Sequence, residues 1–210
     1  MLEDKTTLLF DFDGTIADSL HRLLEISNSL AEEYGFLKID QQDIASFRSK
    51  STLEAFRELK VPMLKIPIIA ARVKKEFQEE VHLAKPFVQM EKVLPRLGQF
   101  FRLGILTSNT PSNVERFLET HHLSFFDFVY SSSNLFGKSR VLRKIMREKE
   151  IKAEELVYIG DEMRDIEAAK TTGIDMVAVS WGAHTAKALA SLKPSYLIHQ
   201  PEDLLELFKN

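Results

Sequence analysis

Five short apolar runs, separated in the later chain by stretches of helical period, constrain this sequence more than any other feature. They are Thr6-Thr7-Leu8-Leu9-Phe10, Leu103-Gly104-Ile105-Leu106, Phe128-Val129-Tyr130, Leu156-Val157-Tyr158-Ile159 and Met176-Val177-Ala178-Val179, and each stops at polar or glycine residues. Runs with no polar alternation suit strands buried on both faces. Val114, Phe117, Leu118 and His121 recur at helical spacing, as do Val141, Leu142, Ile145 and Met146, and then Ile166 with Ala169 ahead of Gly173. Strand alternating with helix predicts an α/β fold: a Rossmann-like, parallel five-stranded sheet flanked by helices, with any ligand at the carboxyl ends of the strands.

The rhythm breaks between Ser19 and Ala84. No strand run occurs there; Leu20, Leu23, Leu24 and Leu30, then Leu53, Phe56 and Leu59, then Ile69, Val73, Phe77 and Val81 mark amphipathic segments instead. The pattern predicts an all-helical insertion over 19–84 in a discontinuous core of 1–18 and 85–210. Pro62 and Pro67 punctuate the insertion, Pro86 marks the return to the sheet, and hinges fall near Asp18-Ser19 and Lys85-Pro86. A chain of 210 residues, 44% hydrophobic and 28% charged, has the size and composition for one such core with an insertion.

The chain has no cysteine, which excludes disulfides, thiolate ligands and a thiol nucleophile, so its chemistry must come from oxygen and nitrogen. With 28 Lys plus Arg against 31 Asp plus Glu, it lacks the basic footprint of general nucleic-acid binding. A small solute is the expected partner. The acidic start, Met1-Leu2-Glu3-Asp4-Lys5, and the lack of an apolar run near the ~18 residues that span a bilayer predict no membrane association and a cytoplasmic protein. A monomer or homodimer is expected, and the residues do not choose between them.

Asp11-Phe12-Asp13-Gly14-Thr15 directly follows the first apolar run. Residues at i and i+2 of an extended chain point to the same side, so two carboxylates converge at a strand tip. Their repulsion calls for a cation or a shared proton: a hard divalent metal site or an acid/base dyad, with a solvated Asp-Gly turn the plain alternative. A second acidic group, Gly160-Asp161-Glu162-Met163-Arg164-Asp165, follows the fourth run, and parallel strands would bring it to the same edge. Helix capping accounts for Asp161, with Asp165 one turn inside, but not for four acids. Thr107-Ser108-Asn109 ends the second run and offers hydroxyls and N–H groups at a helix entrance, a cradle for phosphate oxygens or simply an N-cap followed by Pro111. Lys138 opens the helix of Val141 and Leu142, where the helix dipole disfavours a cation unless an anion sits nearby.

These segments resemble the four motifs of the haloacid dehalogenase-like hydrolases, in the family's order and over nearly the whole chain, most closely those of the phosphoglycolate phosphatase-like and β-phosphoglucomutase-like branch. The resemblance implies a Mg²⁺-dependent phosphatase acting on a small phosphomonoester, phosphoglycolate-like or a sugar phosphate. Asp11 would be the nucleophile and Asp13 the acid/base; Asp11, Asp13 through its carbonyl, and Asp161 would hold Mg²⁺, with Asp165 orienting metal water or Lys138. Thr107, Ser108 and Lys138 would bind phosphoryl oxygens, with Gly14, Thr15 and Asn109 around the substrate. Many relatives follow the lysine with prolines, where this chain has Ser139-Arg140-Val141, so Arg140, Arg143 and Lys144 are alternatives to Lys138. A phosphosugar mutase shares the same residues, and a phospho-accepting signalling switch shares several of them. The insertion would act as a substrate-choosing cap, with Arg48 or Lys50 meeting a second anionic group. His21 and His184 are read as rim or packing residues, and Trp181 as core or site lining.

Overall fold

The computed structural model describes residues 4–80, 83–132 and 137–209; expectations placed on residues 1–3 and on Val81 lie outside them. The chain opens with β1 (Thr7–Phe10) and the two-residue β2 (Ala17–Asp18). Five helices follow: α1 (Leu20–Ser29), α2 (Ala31–Tyr34), α3 (Ile44–Phe47), α4 (Thr52–Glu58) and α5 (Ile66–Glu80). Next come β3 (Lys85–Pro86), α6 (Met90–Leu97), β4 (Arg102–Thr107), α7 (Pro111–Thr120), β5 (Phe128–Ser131), α8 (Lys138–Lys149), β6 (Leu156–Gly160), α9 (Met163–Thr172), β7 (Asp175–Val179), α10 (Ala186–Ser191), β8 (Tyr196–Ile198) and α11 (Asp203–Leu207).

The main sheet has the order β5-β4-β1-β6-β7-β8, with every pairing parallel. The five expected strands are present, and a sixth, β8, extends the edge beside β7. Tyr196-Leu197-Ile198 is too short to register as an apolar run between Pro194 and His199; its ladder to Val177, Ala178 and Val179 makes it a strand. β2 and β3 pair antiparallel, Ala17 opposite Pro86 and Asp18 opposite Lys85, which clasps together the two ends of the helical stretch. That stretch holds five helices where the periodicity marked three or four segments, because α2 and α3 span only four residues each. Such lengths are too short to show a helical repeat.

β1 is buried along its whole length, as unbroken apolarity requires. On one face Leu8, Phe10 and Ile105 pack with Phe12, Val114 and Phe117; on the other Leu9, Leu106 and Tyr158 meet Leu142 and Ile145 of α8 and Ile166 of α9. Fully burying each such side chain contributes about 1.5–3 kcal/mol. A third cluster, Leu59, Val61 and Ile69 with Tyr34, Phe36 and Phe56, lies within the helical stretch.

Register now places the chemistry. Phe10 lies level with Ile105 on β4 and Ile159 on β6, so Asp11, Thr107 and Asp161 leave the sheet at one edge. The Asp11 N–H donates to the Ile159 carbonyl at 2.8 Å, which continues the β1–β6 ladder into the acidic segment.

Candidate active site

Asp11, Asp161 and Asp165, all buried, bring carboxylate oxygens within 4.8 Å of one another. Lys138 sits among them: its ammonium donates to Asp11 Oδ2 and to Asp165 Oδ1, each at 2.5 Å. Lys138 starts α8 at the sheet edge, and the two carboxylates offset the unfavourable end of the helix dipole. The alternatives are occupied elsewhere. Arg143 donates to the Thr171 carbonyl and Lys144 lies 3.9 Å from Glu148, while Arg140 is exposed. Burial works against the Lys138 ammonium, yet Asp11 and Asp165 raise its pKa above the ordinary lysine value.

Each carboxylate is held differently. Asp11 Oδ1 accepts the Phe12 N–H at 2.8 Å. Asp165 Oδ1 also accepts the Tyr158 hydroxyl at 3.1 Å, and its Oδ2 accepts the Glu162 N–H at the start of α9. The residue capping α9 is Glu162, not Asp161 as the sequence suggested, which leaves the Asp161 carboxylate outside the helix. Asp161 Oδ1 accepts the Thr15 hydroxyl at 2.8 Å and its Oδ2 the Ala183 N–H at 2.6 Å. Burial pushes the Asp161 carboxyl up to about 7, with repulsion from Glu162 and Asp165 adding to it. Burial likewise raises Asp11 well above the ordinary carboxylate range; Lys138 opposes this and Asp165 reinforces it.

Two glycines permit this density. Gly14 has φ +80°, and a Cβ there would lie 2.2 Å from Asp161 Oδ2; a Cβ on Gly182 would lie 2.2 Å from the Gly14 carbonyl oxygen. Both backbones therefore press against the Asp161 carboxylate.

Asp13 stands apart from the three-carboxylate cluster. Its Oδ1 accepts the Ser19 hydroxyl at 2.7 Å and its Oδ2 the Asn109 amide at 3.1 Å, while burial raises its pKa. Asn109 is in turn fixed through its side-chain oxygen, which accepts the Thr110 N–H and the Asn113 amide. Thr107 Oγ1 accepts the Asn109 N–H at 2.9 Å. Ser108 Oγ is buried with no hydrogen-bond partner among the described residues, and it lines a cavity together with Asp13.

Several residues assigned to the substrate are used differently. Thr15 is fully buried and orients Asp161, and Gly14 packs on that carboxylate rather than facing the cleft. Arg48 ties the helical stretch to the core: its guanidinium donates to the carbonyls of Gly182 (2.7 Å), Ser180 and Ala183 (3.3 Å each), and its own carbonyl accepts the Thr185 N–H. Lys50 lies 2.5 Å from Glu58 and donates to Ser46, with its carbonyl 3.0 Å from His184 Nε2. The Trp181 indole donates to the Thr15 carbonyl and lines a cavity of about 510 Å³ that also touches His21, Arg48 and Arg164.

Sequence reasoning assigned no role to Arg164, Tyr158, Ser19 or Lys74. Arg164 pairs with Glu162 at the cleft; burial works to raise the Glu162 carboxyl, but Arg164 and Lys138 overcome it and hold it down to about 2. Signals were available: Arg164 lies inside the second acidic motif, and a tyrosine in a fully buried strand needs a partner for its hydroxyl. Lys74 interrupts the apolar face of α5, between Ala70 and Phe77. A second cavity, of about 360 Å³, joins Lys74 from the helical side to Asp13, Ser108, Asn109 and Arg164 from the sheet side.

A parallel sheet of this order, with acids, a buried lysine and hydroxyls at one edge, fits a hydrolase of the haloacid dehalogenase-like class. The chain belongs to that family: residues 8–179 match the haloacid dehalogenase-like hydrolases. It is 32% identical over 201 residues to a phosphoglycolate phosphatase of Synechococcus elongatus, covering 95% of each chain. It is 26% identical over 208 residues to the pyrophosphatase PpaX of Bacillus mycoides, covering 96% of this chain and 95% of that one. The structure of a haloacid dehalogenase-like hydrolase from Streptococcus pneumoniae matches with TM-score 0.79 at 25% identity, over 99% of this chain and 100% of that one. These relatives support a phosphatase. Among the described residues no helix is long and apolar enough to cross a membrane.

Proposed function

We propose that the chain hydrolyses a small phosphomonoester, phosphoglycolate-like or a sugar phosphate, with Mg²⁺ and through an aspartyl-phosphate on Asp11. The observation that carries this reading is the contrast between two carboxylates two residues apart. Asp11 is fixed inside a charged cluster by Lys138 and the Phe12 N–H. Asp13 is held outside it by the Ser19 hydroxyl and the Asn109 amide, with burial raising its pKa as it does that of Asp11. A carboxylate pinned by an ammonium is placed for attack, and one held by neutral donors is placed to exchange a proton.

In the first step an Asp11 oxygen attacks phosphorus, the ester P–O bond breaks, and Asp13 gives its proton to the leaving oxygen. The Asp13 carboxylate then takes a proton from water, which attacks the phosphorus of the acyl phosphate, releases inorganic phosphate and restores both acids. Lys138, the Ser108 hydroxyl and Thr107 at the strand end complement the charge on the transferring group.

The donor set suits a hard divalent ion. All ligands are oxygens, three carboxylates converge, and one ammonium offsets only part of their charge. Asp11, Asp161 and the Asp13 carbonyl would hold Mg²⁺, with Asp165 beside Lys138; bound there, the ion neutralises negative charge facing the phosphate. Residues 19–84 serve as a cap over a core of 1–18 and 85–210, with the β2–β3 pair as its hinge. The test is release of inorganic phosphate from phosphoglycolate, sugar phosphates, nucleotides and pyrophosphate, with Mg²⁺ and with EDTA. Turnover of a small monoester with Mg²⁺ alone, lost by at least about 10⁴-fold in Asp11→Asn, is expected. No release from any of them overturns the reading.

A further inference from the structure

Among the described residues, four cations other than Lys74 lie in or beside the cleft, and each has an anionic or carbonyl partner. Lys138 is held by Asp11 and Asp165, Arg164 by Glu162, Arg48 by three carbonyls, and Lys50 by Glu58. Lys74 has neither a hydrogen bond nor an ion pair among the described residues. It is half-buried on α5, in line with Ala70 and Phe77, on the face that packs towards α1. A solvated lysine belongs on the opposite face of such a helix.

The cavity gives that position a purpose. Lys74 shares a space of about 360 Å³ with Asp13, Arg164 and the Ser108 hydroxyl, which has no partner among the described residues. Asn109 and Glu162, the latter paired with Arg164, also line it, and the rest of its wall is largely apolar, including Leu24, Phe56 and Phe77. Burial and the facing Arg164 charge lower the Lys74 pKa, and Asp13 opposes them, so the ammonium lies within electrostatic reach of both core residues. A cation enclosed by apolar side chains and facing another cation is relieved by an anion entering between them.

We propose that Lys74 is the specificity-determining residue of the insertion: it receives a second anionic group, a carboxylate or phosphate, carried by the substrate a few atoms from the phosphoryl group under attack. This rests on the phosphatase reading and names its substrate class. Of the residues the sequence favoured for the task, Arg48 fastens the insertion to core carbonyls and the Lys50 side chain is held by Glu58 and Ser46 within the insertion.

The experiment compares kcat/KM for phosphoglycolate, pyrophosphate and ethyl phosphate, the last an ester of similar size with no second anion, in the parent, Lys74→Met, Lys74→Arg and Lys75→Met. Lys74→Met is expected to lower the ratio of phosphoglycolate or pyrophosphate to ethyl phosphate by about tenfold or more. Lys74→Arg should restore most of that ratio, and Lys75→Met, on the exposed face, should retain it. Which acidic substrate loses more identifies the second group as carboxylate or phosphate. An unchanged ratio in a Lys74→Met protein whose unfolding temperature matches the parent overturns the inference alone. A parent that hydrolyses a sugar monophosphate but neither phosphoglycolate nor pyrophosphate also overturns the inference alone, whereas no release from any ester of the wider panel overturns the phosphatase reading and the inference with it.

Discussion

On the sheet side of the cleft, Asp11, Asp13, Asp161, Asp165 and Lys138 each have at least two hydrogen-bonding partners. On the helical side, Lys74 has none among the described residues, and Leu59, Val61 and Ile69 at the centre of that layer remain 8–9% exposed. Leu8, Phe10, Leu103 and Ile105 in the sheet are sealed completely. The contrast separates two tasks. Groups that must meet a developing charge gain from being fixed beforehand, because they need no reorganisation during reaction. A layer that must admit and sort solutes needs open space and an unsatisfied charge.

After the loss expected for Asp11→Asn, the largest effect from breaking this arrangement comes from Lys138→Ala. It leaves Asp11 and Asp165 buried without their cation, so turnover should fall at least about a hundredfold and stability by about 3–5 kcal/mol. Steady-state kinetics with denaturant unfolding measure both; near-parental activity would show that another residue supplies the charge. Packing offers a smaller, sharper comparison. Leu103→Ala in the sheet core should cost about 3 kcal/mol or more and Leu59→Ala in the helical layer about half of that, since Leu59 lines an existing cavity that can absorb the change. Equal losses in chemical denaturation would mean the two layers are packed alike.

The smallest effect is in pH. Folding raises the Asp161 carboxyl from 3.8 to about 7, which disfavours its ionised form in the native state. That cost is fully present above about pH 7 and is relieved as the pH falls from there towards about 4. In EDTA, the unfolding temperature should therefore rise as the pH is lowered from about 8 to about 6. Saturating Mg²⁺ should flatten this slope, and Asp161→Asn should reduce it. A flat profile in EDTA would show that the carboxyl is not disfavoured by folding.

Much of the sheet was legible beforehand, because a strand buried on both faces carries an unbroken apolar run wherever it lies, as β1 and β6 do. β8 was not: its three residues become a strand only through the ladder to β7. The acids were legible from their place just after apolar runs, and Lys138 from its awkward position at a helix start. Thr15 and Arg48 have protein partners that the sequence did not announce, for a common reason. A hydroxyl or guanidinium in a promising segment can face either the solute or the protein, and local spacing does not record which.

Sequence by itself therefore determined the alternation of strand and helix, the helical insertion, and the acids that fall at strand ends, since each depends on residues a few positions apart. Tertiary structure decided that residues 11, 107, 138 and 161 meet at one edge, that Thr15 turns to Asp161, that Arg48 binds core carbonyls, and that Lys74 faces the cavity it shares with Asp13. Those outcomes depend on strand register and on how each helix rotates against its neighbours. Both are set by contacts between residues far apart in the chain, which no local periodicity encodes.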